Sequence, residues 1–361
     1  MTRRRRKNPY IFAPEQKRRR GRHALLRLTV FLALIVFTGI LLNFIIGHQV
    51  DYPTQYVTVS GLPADLESWS ILHISDLHGE ELGKGQSLLR GQLDGLRASS
   101  VVFTGDMLGE GGDTSALLAL VAMLPADVPK LMVMGDEDAP YLDPMPHASV
   151  SPLADWAIEV TQAGVTILDE PVLFTRGRRN DARIWFVPEY LYSLDLNSLE
   201  QAYAAQLAQL PETGLTAEEA ARRRVAEYQL ARVERIRASV ASMKETDVQI
   251  ALSHTPLAES YITEMLQITD KERVFSLRNV DLVLSGHYCG GQWRLPGVGA
   301  LYVPEFGWLP EEKLLSGLSF VGSVQQYISR GLGASGAYPN MPGRLFNSPE
   351  MTYILLTSRI Q

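Results

Sequence analysis

The sequence contains a single cysteine, Cys289, so no disulfide bond can form within the chain. It also lacks internal repeats, and its only compositionally biased tract is a basic stretch at the N-terminus. Hydrophobic residues make up 46% of its 361 residues, which is enough to build a core and excludes global disorder. This length suits one large domain or two modest ones.

Positive charge is scarce after the first 27 residues. Those residues contain eleven Arg and Lys and one acid, Glu15, which gives them a net charge of +10. Since the whole chain has a net charge of −6, the remainder carries −16. An acidic body argues against nucleic acid as the main partner, and we expect none.

An uncharged run, LTVFLALIVFTGILLNFIIG, occupies residues 28–47. Twenty helical residues rise about 30 Å, the thickness of a membrane hydrocarbon core. The run is too long for an ordinary signal-peptide core, and no clear small-residue cleavage site follows it. We therefore predict a single-pass protein of the cell membrane. Its basic tail, residues 1–27, would stay in the cytoplasm, and a domain of residues 52–361 would lie outside it.

Short apolar runs that end in polar clusters recur along the body. Helical stretches alternate with these runs. A helical insert lies at about 196–244, and Thr216 and Glu219 predict a capping box at the N-terminus of its second helix. This alternation predicts an α/β sheet whose functional site lies beyond the carboxyl ends of the strands. The runs are SILHIS before Asp76, SVVFTG before Asp106, KLMVMG before Asp136, VQIALS before His254 and VDLVLS before Gly286-His287.

These five strand ends bear side chains that bind metals. Asp76 and His78 lie two residues apart, so both can face the same cation, while Asp106 and Asp136 follow glycines that permit tight turns. Carboxylate, imidazole and thiolate donors gathered at one edge of a sheet indicate a site for two metal ions.

In this order the motifs resemble the calcineurin-like metallophosphoesterase superfamily, and most closely its membrane-anchored or exported bacterial branch. The resemblance runs from about Tyr56 to the C-terminus and includes late segments such as Asn347-Ser348-Pro349-Glu350. It implies a four-layer αββα sandwich behind one N-terminal transmembrane helix. It also implies two transition-metal ions, with zinc, iron and manganese as the candidates.

The resemblance assigns roles to individual residues. Asp76 and His78 would bind the first metal and Asp106 would bridge the two metals, while His254 and His287 would bind the second. Three family positions are altered: Asp136 replaces an asparagine ligand, Glu137 a histidine near the leaving group, and Cys289 the last histidine ligand. The predicted metal ligands are therefore Asp76, His78, Asp106, Asp136, His254, His287 and Cys289.

The altered positions leave alternatives open. A carboxylate can replace the amide oxygen at position 136. A thiolate at Cys289 would favour zinc or iron, although a free cysteine can also be a small buried apolar residue. Glu137 is the candidate catalytic residue, as a general acid if burial raises its pKa. His147 could instead replace the missing imidazole if its loop folds back.

The implied activity is hydrolysis of a phosphate ester or pyrophosphate bond by a hydroxide that bridges the metals. The substrate would be a phosphorylated small molecule or a lipid-linked envelope compound. Four negative ligands would cancel the charge of two divalent ions, which implies a slow enzyme, a preference for diesters or other monoanions, or the use of a trivalent iron. Arg330 and Arg344 would contact phosphate or form salt bridges within the acidic body. The alternative is a non-catalytic descendant that binds metal or senses a ligand.

Overall fold

The structure, a computed structural model, describes residues 13–359 apart from 148–149, 179–180, 269–272, 337 and 339–342. Its α-helices are α1 Ala13–Gly47, α2 Arg90–Leu93, α3 Ser115–Val121, α4 Asp155–Gln162, α5 Leu196–Ala208, α6 Ala217–Ser242 and α7 Glu259–Ile268. Its strands are β1 Thr54–Thr58, β2 Ser70–Ile74, β3 Ser100–Thr104, β4 Lys130–Val133, β5 Val165–Ile167, β6 Val172–Arg176, β7 Ala182–Pro188, β8 Val248–Leu252, β9 Leu282–Ser285, β10 Arg294–Leu295, β11 Gly299–Ala300, β12 Tyr302–Val303, β13 Gly307–Trp308, β14 Gly317–Val321, β15 Val324–Ile328 and β16 Thr352–Thr357.

Two six-stranded sheets form the centre of the molecule. The first has the order β1-β16-β2-β3-β4-β5, and the second has the order β14-β15-β9-β8-β7-β6. Strands β2 to β5 are parallel, as are β7, β8, β9 and β15. Strands β2, β3, β8 and β9 are buried along their whole length, because both faces of each sheet are covered.

Three apolar cores separate four layers. Between the sheets, residues such as Ile71 and Val102 of the first pack with Ile250 and Leu282 of the second. The outer face of the first sheet is covered by α2, α3 and α4, and the outer face of the second by α6 and α7. This arrangement confirms the αββα sandwich predicted from the sequence.

The helical insert consists of α5 and α6. Helix α6 begins with the expected capping box, in which the Thr216 hydroxyl accepts from Glu219 N and the Glu219 carboxylate accepts from Thr216 N. Its Ile236 side chain is buried in the core outside the second sheet, and Val233, three residues earlier on the helix, is also fully buried. The insert is therefore a part of the outer layer.

Helix α1 begins well before the predicted span. Residues 22–47 form a helix long and apolar enough to cross a membrane, and its apolar side chains are exposed. By length and composition it could be a membrane span or a signal sequence. Just after it, the backbone of Asp51 forms an isolated parallel β-bridge with the backbone of Glu350. The globular body therefore begins within a few residues of the helix end.

His73 lies on β2 between the two sheets and is fully buried. Its Nε2 lies 2.8 Å from Thr104 Oγ1, and its ring contacts the edge of Tyr327 at 5.9 Å. Burial disfavours the charged imidazole and lowers the pKa of His73 to about 3. His73 is therefore a buried core residue that packs between the sheets and contacts the Thr104 hydroxyl.

Lowering the pH below about 6.5 should destabilise the protein through His73. In the unfolded chain the His73 imidazole binds a proton near pH 6.5, whereas in the folded chain it does so only near pH 3. The free energy of unfolding therefore falls as the pH falls below 6.5. The loss is about 1.4 kcal/mol per pH unit in this window. Thermal unfolding of the detergent-solubilised chain at pH 6.5 and 5 should show a smaller loss for His73→Gln than for wild type. Parallel losses would contradict this role.

Candidate metal centre

All seven predicted metal ligands lie at one rim of the sandwich. Asp76, Asp106, His254 and His287 each lie two residues beyond the end of a strand, after β2, β3, β8 and β9 respectively, and Asp136 lies three residues beyond β4. Since the carboxyl ends of parallel strands share an edge, and the two sheets pack face to face, these turns meet.

The turns have strained backbone conformations. Five of the predicted ligands have φ between 48° and 78°, a range that residues with a side chain rarely adopt. Such strain is concentrated at functional sites, where the surrounding structure holds it in place. The five are Asp76, His78, Asp106, His287 and Cys289.

Glycines allow these turns to approach one another. A Cβ at Gly105 would lie 2.6 Å from His254 Nδ1, and one at Gly286 would collide with the Asp76 carboxylate. Real Cβ atoms essentially never come so close, so side chains at these positions would force the ligand-bearing loops apart.

One group of donors comprises Asp106, Asp136, His254 and His287, whose candidate ligand atoms all lie within 4.8 Å of one another. His254 Nε2 lies 3.1 Å from Asp106 Oδ2 and 2.8 Å from Asp136 Oδ1, and His287 Nδ1 lies 3.2 Å from Asp136 Oδ1. The Asp136 side chain is 63% exposed. This group is therefore open to solvent on the Asp136 side.

A second group comprises Asp76, His78 and Cys289. The Cys289 thiol is fully buried and its Sγ lies 3.6 Å from His78 Nε2. A sulfur and a nitrogen bound to one tetrahedral zinc would lie about 3.6 Å apart, given bonds of about 2.3 and 2.0–2.1 Å. The spacing thus favours a ligand role for Cys289 over that of a packed apolar residue.

Asp106 lies between the two groups. Its Oδ2 is 3.9 Å from His78 Nε2 and 3.1 Å from His254 Nε2, while its Oδ1 accepts a hydrogen bond from Glu137 N. The carboxylate is 3% exposed. A carboxylate in this position faces both groups, which is the geometry that a bridging ligand requires.

Hydrogen bonds orient the imidazoles. His254 Nδ1 is 2.8 Å from the Thr104 carbonyl, so it carries the proton that leaves Nε2 free to face Asp106 and Asp136. His78 Nδ1 lies 3.1 Å from Glu137 Oε2, which leaves its Nε2 facing Cys289. Glu137 therefore contacts the back of His78, and its other oxygen accepts from the Ser335 hydroxyl.

The protonation of the centre without metal follows from its dense negative charge. Burial opposes charging of His78, but its contacts with Cys289 and Glu137 outweigh burial and raise the pKa of His78 to about 11. The hydrogen bond from His78 lowers the pKa of Glu137 to about 2. The rise that a general acid would need is thus not found at Glu137, whose catalytic role stays a prediction.

Sequence reasoning missed the part that Asp138 plays. Its carboxylate accepts hydrogen bonds from the backbone N–H groups of Asp106, Met107, Leu108 and Gly135 at 2.8–2.9 Å. These bonds tie the turn after β3 to the turn after β4. The Gly-Asp-Glu-Asp sequence places Asp138 in the turn after β4. It does not indicate that the Asp138 carboxylate points toward the backbone of the turn after β3.

Three further candidates lie outside the two groups. His147 Nδ1 is 3.5 Å from Asp155, so its loop does not supply the missing imidazole. Arg330 forms ion pairs with Asp51 and Glu350 at 2.6 and 2.7 Å. Arg344 donates to the backbone carbonyls of Gly333 and Arg330. For Arg330 the salt-bridge alternative is the one observed.

The donors fit a pair of transition-metal ions. Carboxylates, imidazoles and one thiolate suit zinc or iron, and donor spacings of about 3 Å match those around a tetrahedral ion with bonds of about 2 Å. The strained turns and glycine contacts bring these atoms together in the protein itself.

Comparison with known proteins identifies a family. The family model for the calcineurin-like phosphoesterase matches residues 70–290, which include all seven predicted ligands. The uncharacterized metallophosphoesterase YkuE of Bacillus subtilis (strain 168) is 38% identical over 79 residues, which cover 22% of this chain and 25% of that protein. The matched segment thus spans about a quarter of the length of this relative.

Two solved structures show limited similarity. Phosphopantetheinyl hydrolase (PptH) from Mycobacterium tuberculosis has a TM-score of 0.36 and 14% identity, covering 80% of this chain and 96% of that chain. The protein TT1561 of Thermus thermophilus has a TM-score of 0.34 and 14% identity, covering 77% and 91% respectively. Scores this low do not bear on the substrate of this chain.

Replacing Cys289 with serine should weaken zinc binding much more than manganese binding. The thiolate is a soft donor that zinc favours, whereas manganese prefers oxygen. Competition titrations with a metal indicator should show at least a tenfold loss of zinc affinity for Cys289→Ser and a smaller change for manganese. The matched control is His73→Gln, which alters a buried polar residue outside the centre. Equal losses for both metals would contradict a ligand role for the sulfur.

Proposed function

Because this chain belongs to the calcineurin-like phosphoesterase family, we propose that it hydrolyses a phosphate ester or pyrophosphate bond at the centre described above. The observation that carries the proposal is the gathering of seven metal-binding side chains at five strand ends, with a buried carboxylate between two groups of donors. A site of this kind suits metal-dependent phosphoryl transfer to water.

The ligand assignment follows the two groups. Asp76, His78 and Cys289 hold one ion, and Asp136, His254 and His287 hold the other. Asp106 is shared between them. Its position 3.1 Å from His254 and 3.9 Å from His78 supports this assignment.

When bound, the two ions supply Lewis acidity that polarises the phosphoryl group and activates a water. The protein provides the positions of the donors. Thr104 holds His254 through its Nδ1, and Glu137 holds His78 through its Nδ1. Neutral imidazoles held in this way are good metal ligands, and such supporting contacts tune affinity and activity. Substrate reaches the centre past Asp136, whose side chain is exposed.

The charge of the centre favours a monoanionic substrate. Asp76, Asp106, Asp136 and a Cys289 thiolate together carry four negative charges, which two divalent ions only neutralise. Arg330 adds no free positive charge, because Asp51 and Glu350 bind its guanidinium. A neutral centre attracts a phosphate dianion less than a diester, which carries one charge. We therefore favour a diester or a pyrophosphate-linked compound.

The N-terminal helix supports an envelope location. Residues 28–47 span the membrane in this proposal, residues 1–27 stay in the cytoplasm, and the domain of residues 52–361 lies outside. A body tethered within a few residues of the bilayer has ready access to lipid-linked phosphates. Such a lipid-linked compound is the substrate class that we propose.

A non-catalytic role is the second candidate. The observation in its favour is that Glu137, at the position where the family has a histidine near the leaving group, is ionised and bonded to His78. A centre without a proton donor there could bind metal or sense a phosphorylated ligand without turning it over.

Hydrolysis assays on chromogenic esters separate these candidates. With zinc or manganese at neutral pH, the purified protein should cleave bis(p-nitrophenyl) phosphate faster than p-nitrophenyl phosphate, because the neutral centre disfavours the dianion.

Asp106→Asn should lower the rate of diester hydrolysis by at least a hundredfold, since it removes the charge of the ligand shared by the two groups. Glu137→Gln should keep the alkaline limb of the rate–pH profile, where a general acid would lose its proton, if Glu137 only orients His78.

The control is His73→Gln, which should retain wild-type rates at neutral pH. Loss of the pH limb in Glu137→Gln would instead establish proton transfer by Glu137. Fast monoester cleavage with magnesium would contradict the charge argument. Full metal occupancy without turnover of either ester would favour the non-catalytic candidate.

A further inference from the structure

The body exposes large apolar side chains in one segment. Of the twelve such side chains found after residue 50 in the described part of the chain, seven lie between residues 295 and 320. Scattered exposed apolar residues are ordinary on a soluble surface, but a concentration of them marks an interaction site. The seven are Leu295, Val298, Phe306, Trp308, Leu309, Leu314 and Phe320.

Backbone hydrogen bonds connect the most exposed of these residues to the segment around Leu345. Arg294 N donates to Leu345 O, Leu301 N to Trp293 O, and Leu309 N to Leu301 O, each at 2.9 Å. Because paired strands lie about 4.8 Å apart, this ladder carries the chain from Leu345 to Leu309 over about 15 Å. The segment from Trp293 to Leu309 and the residues around Leu345 therefore form one hydrogen-bonded unit.

The other end of this unit touches helix α1. Phe346 N donates to Asn43 Oδ1 at 2.7 Å, and a Cβ at Gly39 would lie 3.9 Å from the Phe346 ring. On α1 the half-buried positions near its end are Gly39, Asn43, Ile46 and Gly47, which fall on one face at helical spacing. Helix α1 thus leans against the body over its last two turns.

This contact sets the depth of the body relative to a membrane. Gly39 precedes the end of α1 by eight residues, or about 12 Å along the helix axis. Each polar headgroup layer is only about 5–8 Å thick. If α1 spans the bilayer, Phe346 therefore reaches past the headgroups, and the unit attached to it lies at the membrane surface.

We propose that Leu295, Val298, Trp308, Leu309 and Phe346 form a docking surface that inserts into the bilayer in which α1 is anchored. Their exposed fractions reach 77% at Trp308 and 60% at Val298. Tryptophan is enriched at membrane interfaces, where its ring is partly wet. Burying these apolar side chains among lipid chains compensates for their exposure in water.

Phe306, two residues before Trp308 in the chain, connects the segment that carries the docking surface to the metal centre. The Phe306 ring contacts Tyr288 at 5.0 Å, and Tyr288 contacts His287 at 4.9 Å. A phosphate on a lipid headgroup would thus need to travel only a short distance from the bilayer to the group of donors that contains His287. This step rests on the proposed function and on the proposed span of α1.

Insertion should depend on apolar contact and little on lipid charge. Both basic residues of this segment are paired with acids, Lys313 with Glu311 at 2.8 Å and Arg294 with Glu312, and a further acid, Glu305, faces His287. A surface without excess basic charge gains little from anionic lipid. Neutral and anionic bilayers should therefore serve equally well.

Tryptophan quenching tests the docking surface. The full chain is placed in phosphatidylcholine nanodiscs that contain a lipid with a nitroxide near the headgroup. Because Trp308 lies within the quencher's layer, the wild type should lose a fluorescence component that Trp308→Phe lacks, and added phosphatidylglycerol should leave the loss unchanged. Equal quenching of both proteins would overturn the proposal.

An activity comparison shows what docking does. Val298→Asp with Leu309→Asp should lower hydrolysis of a diester lipid in nanodiscs at least tenfold while leaving bis(p-nitrophenyl) phosphate cleavage unchanged. Val150→Asp, at an apolar residue that is 86% exposed and outside the segment, should match wild type on both substrates. Equal rates for all three proteins on the lipid would contradict docking.

The premises can fail separately. Labelling of residues on each side of α1 in sealed vesicles tests the span itself, and a helix that does not cross removes the basis for docking. Absence of soluble-ester activity in the metal-loaded wild type would count against the proposed function. Trp308 quenching can succeed in a protein that hydrolyses nothing, so the two failures are distinguishable.

Discussion

The centre depends on compensating carboxylates that are buried side by side. Asp76 is fully buried and Asp106 is 2% exposed, and an unpaired buried charge costs several kcal/mol. Burial accordingly raises the pKa of Asp76, while His254 and His78 oppose that rise. Backbone N–H groups of His287 and Glu137 also donate to these carboxylates. In the proposed function, a pair of cations bound to the donors completes this compensation.

The sandwich creates this concentration of charge. Its two sheets bring five strand ends to one rim, and the turns after β2, β3 and β9 contain left-handed residues that only a tightly bonded surrounding can hold. Asp138 supplies part of that surrounding by tying two turns together through four backbone N–H groups. The chemistry of the site therefore depends on residues that touch no substrate.

The apolar runs before Asp76, Asp106 and His254 made the sheet predictable, because buried parallel strands have a distinctive composition. The turn motifs and the family resemblance predicted the donor set, whose side chains lie together at one rim of the sandwich. The direction in which Asp138 points, the identity of the acids that pair with Arg330 and the contact of Phe346 with α1 were beyond prediction. Each joins positions far apart in the chain or depends on a backbone angle, and no local pattern encodes it.

The claim that the rest depends on is that two metal ions share Asp106. Elemental analysis of the purified full chain tests it most directly, after dialysis against metal-free buffer containing no chelator. The account predicts about two equivalents of zinc or iron per chain, falling to one or fewer in Asp106→Asn, because the shared ligand holds the pair together. A wild-type protein that retains no transition metal, and takes up none when zinc is supplied, would contradict it.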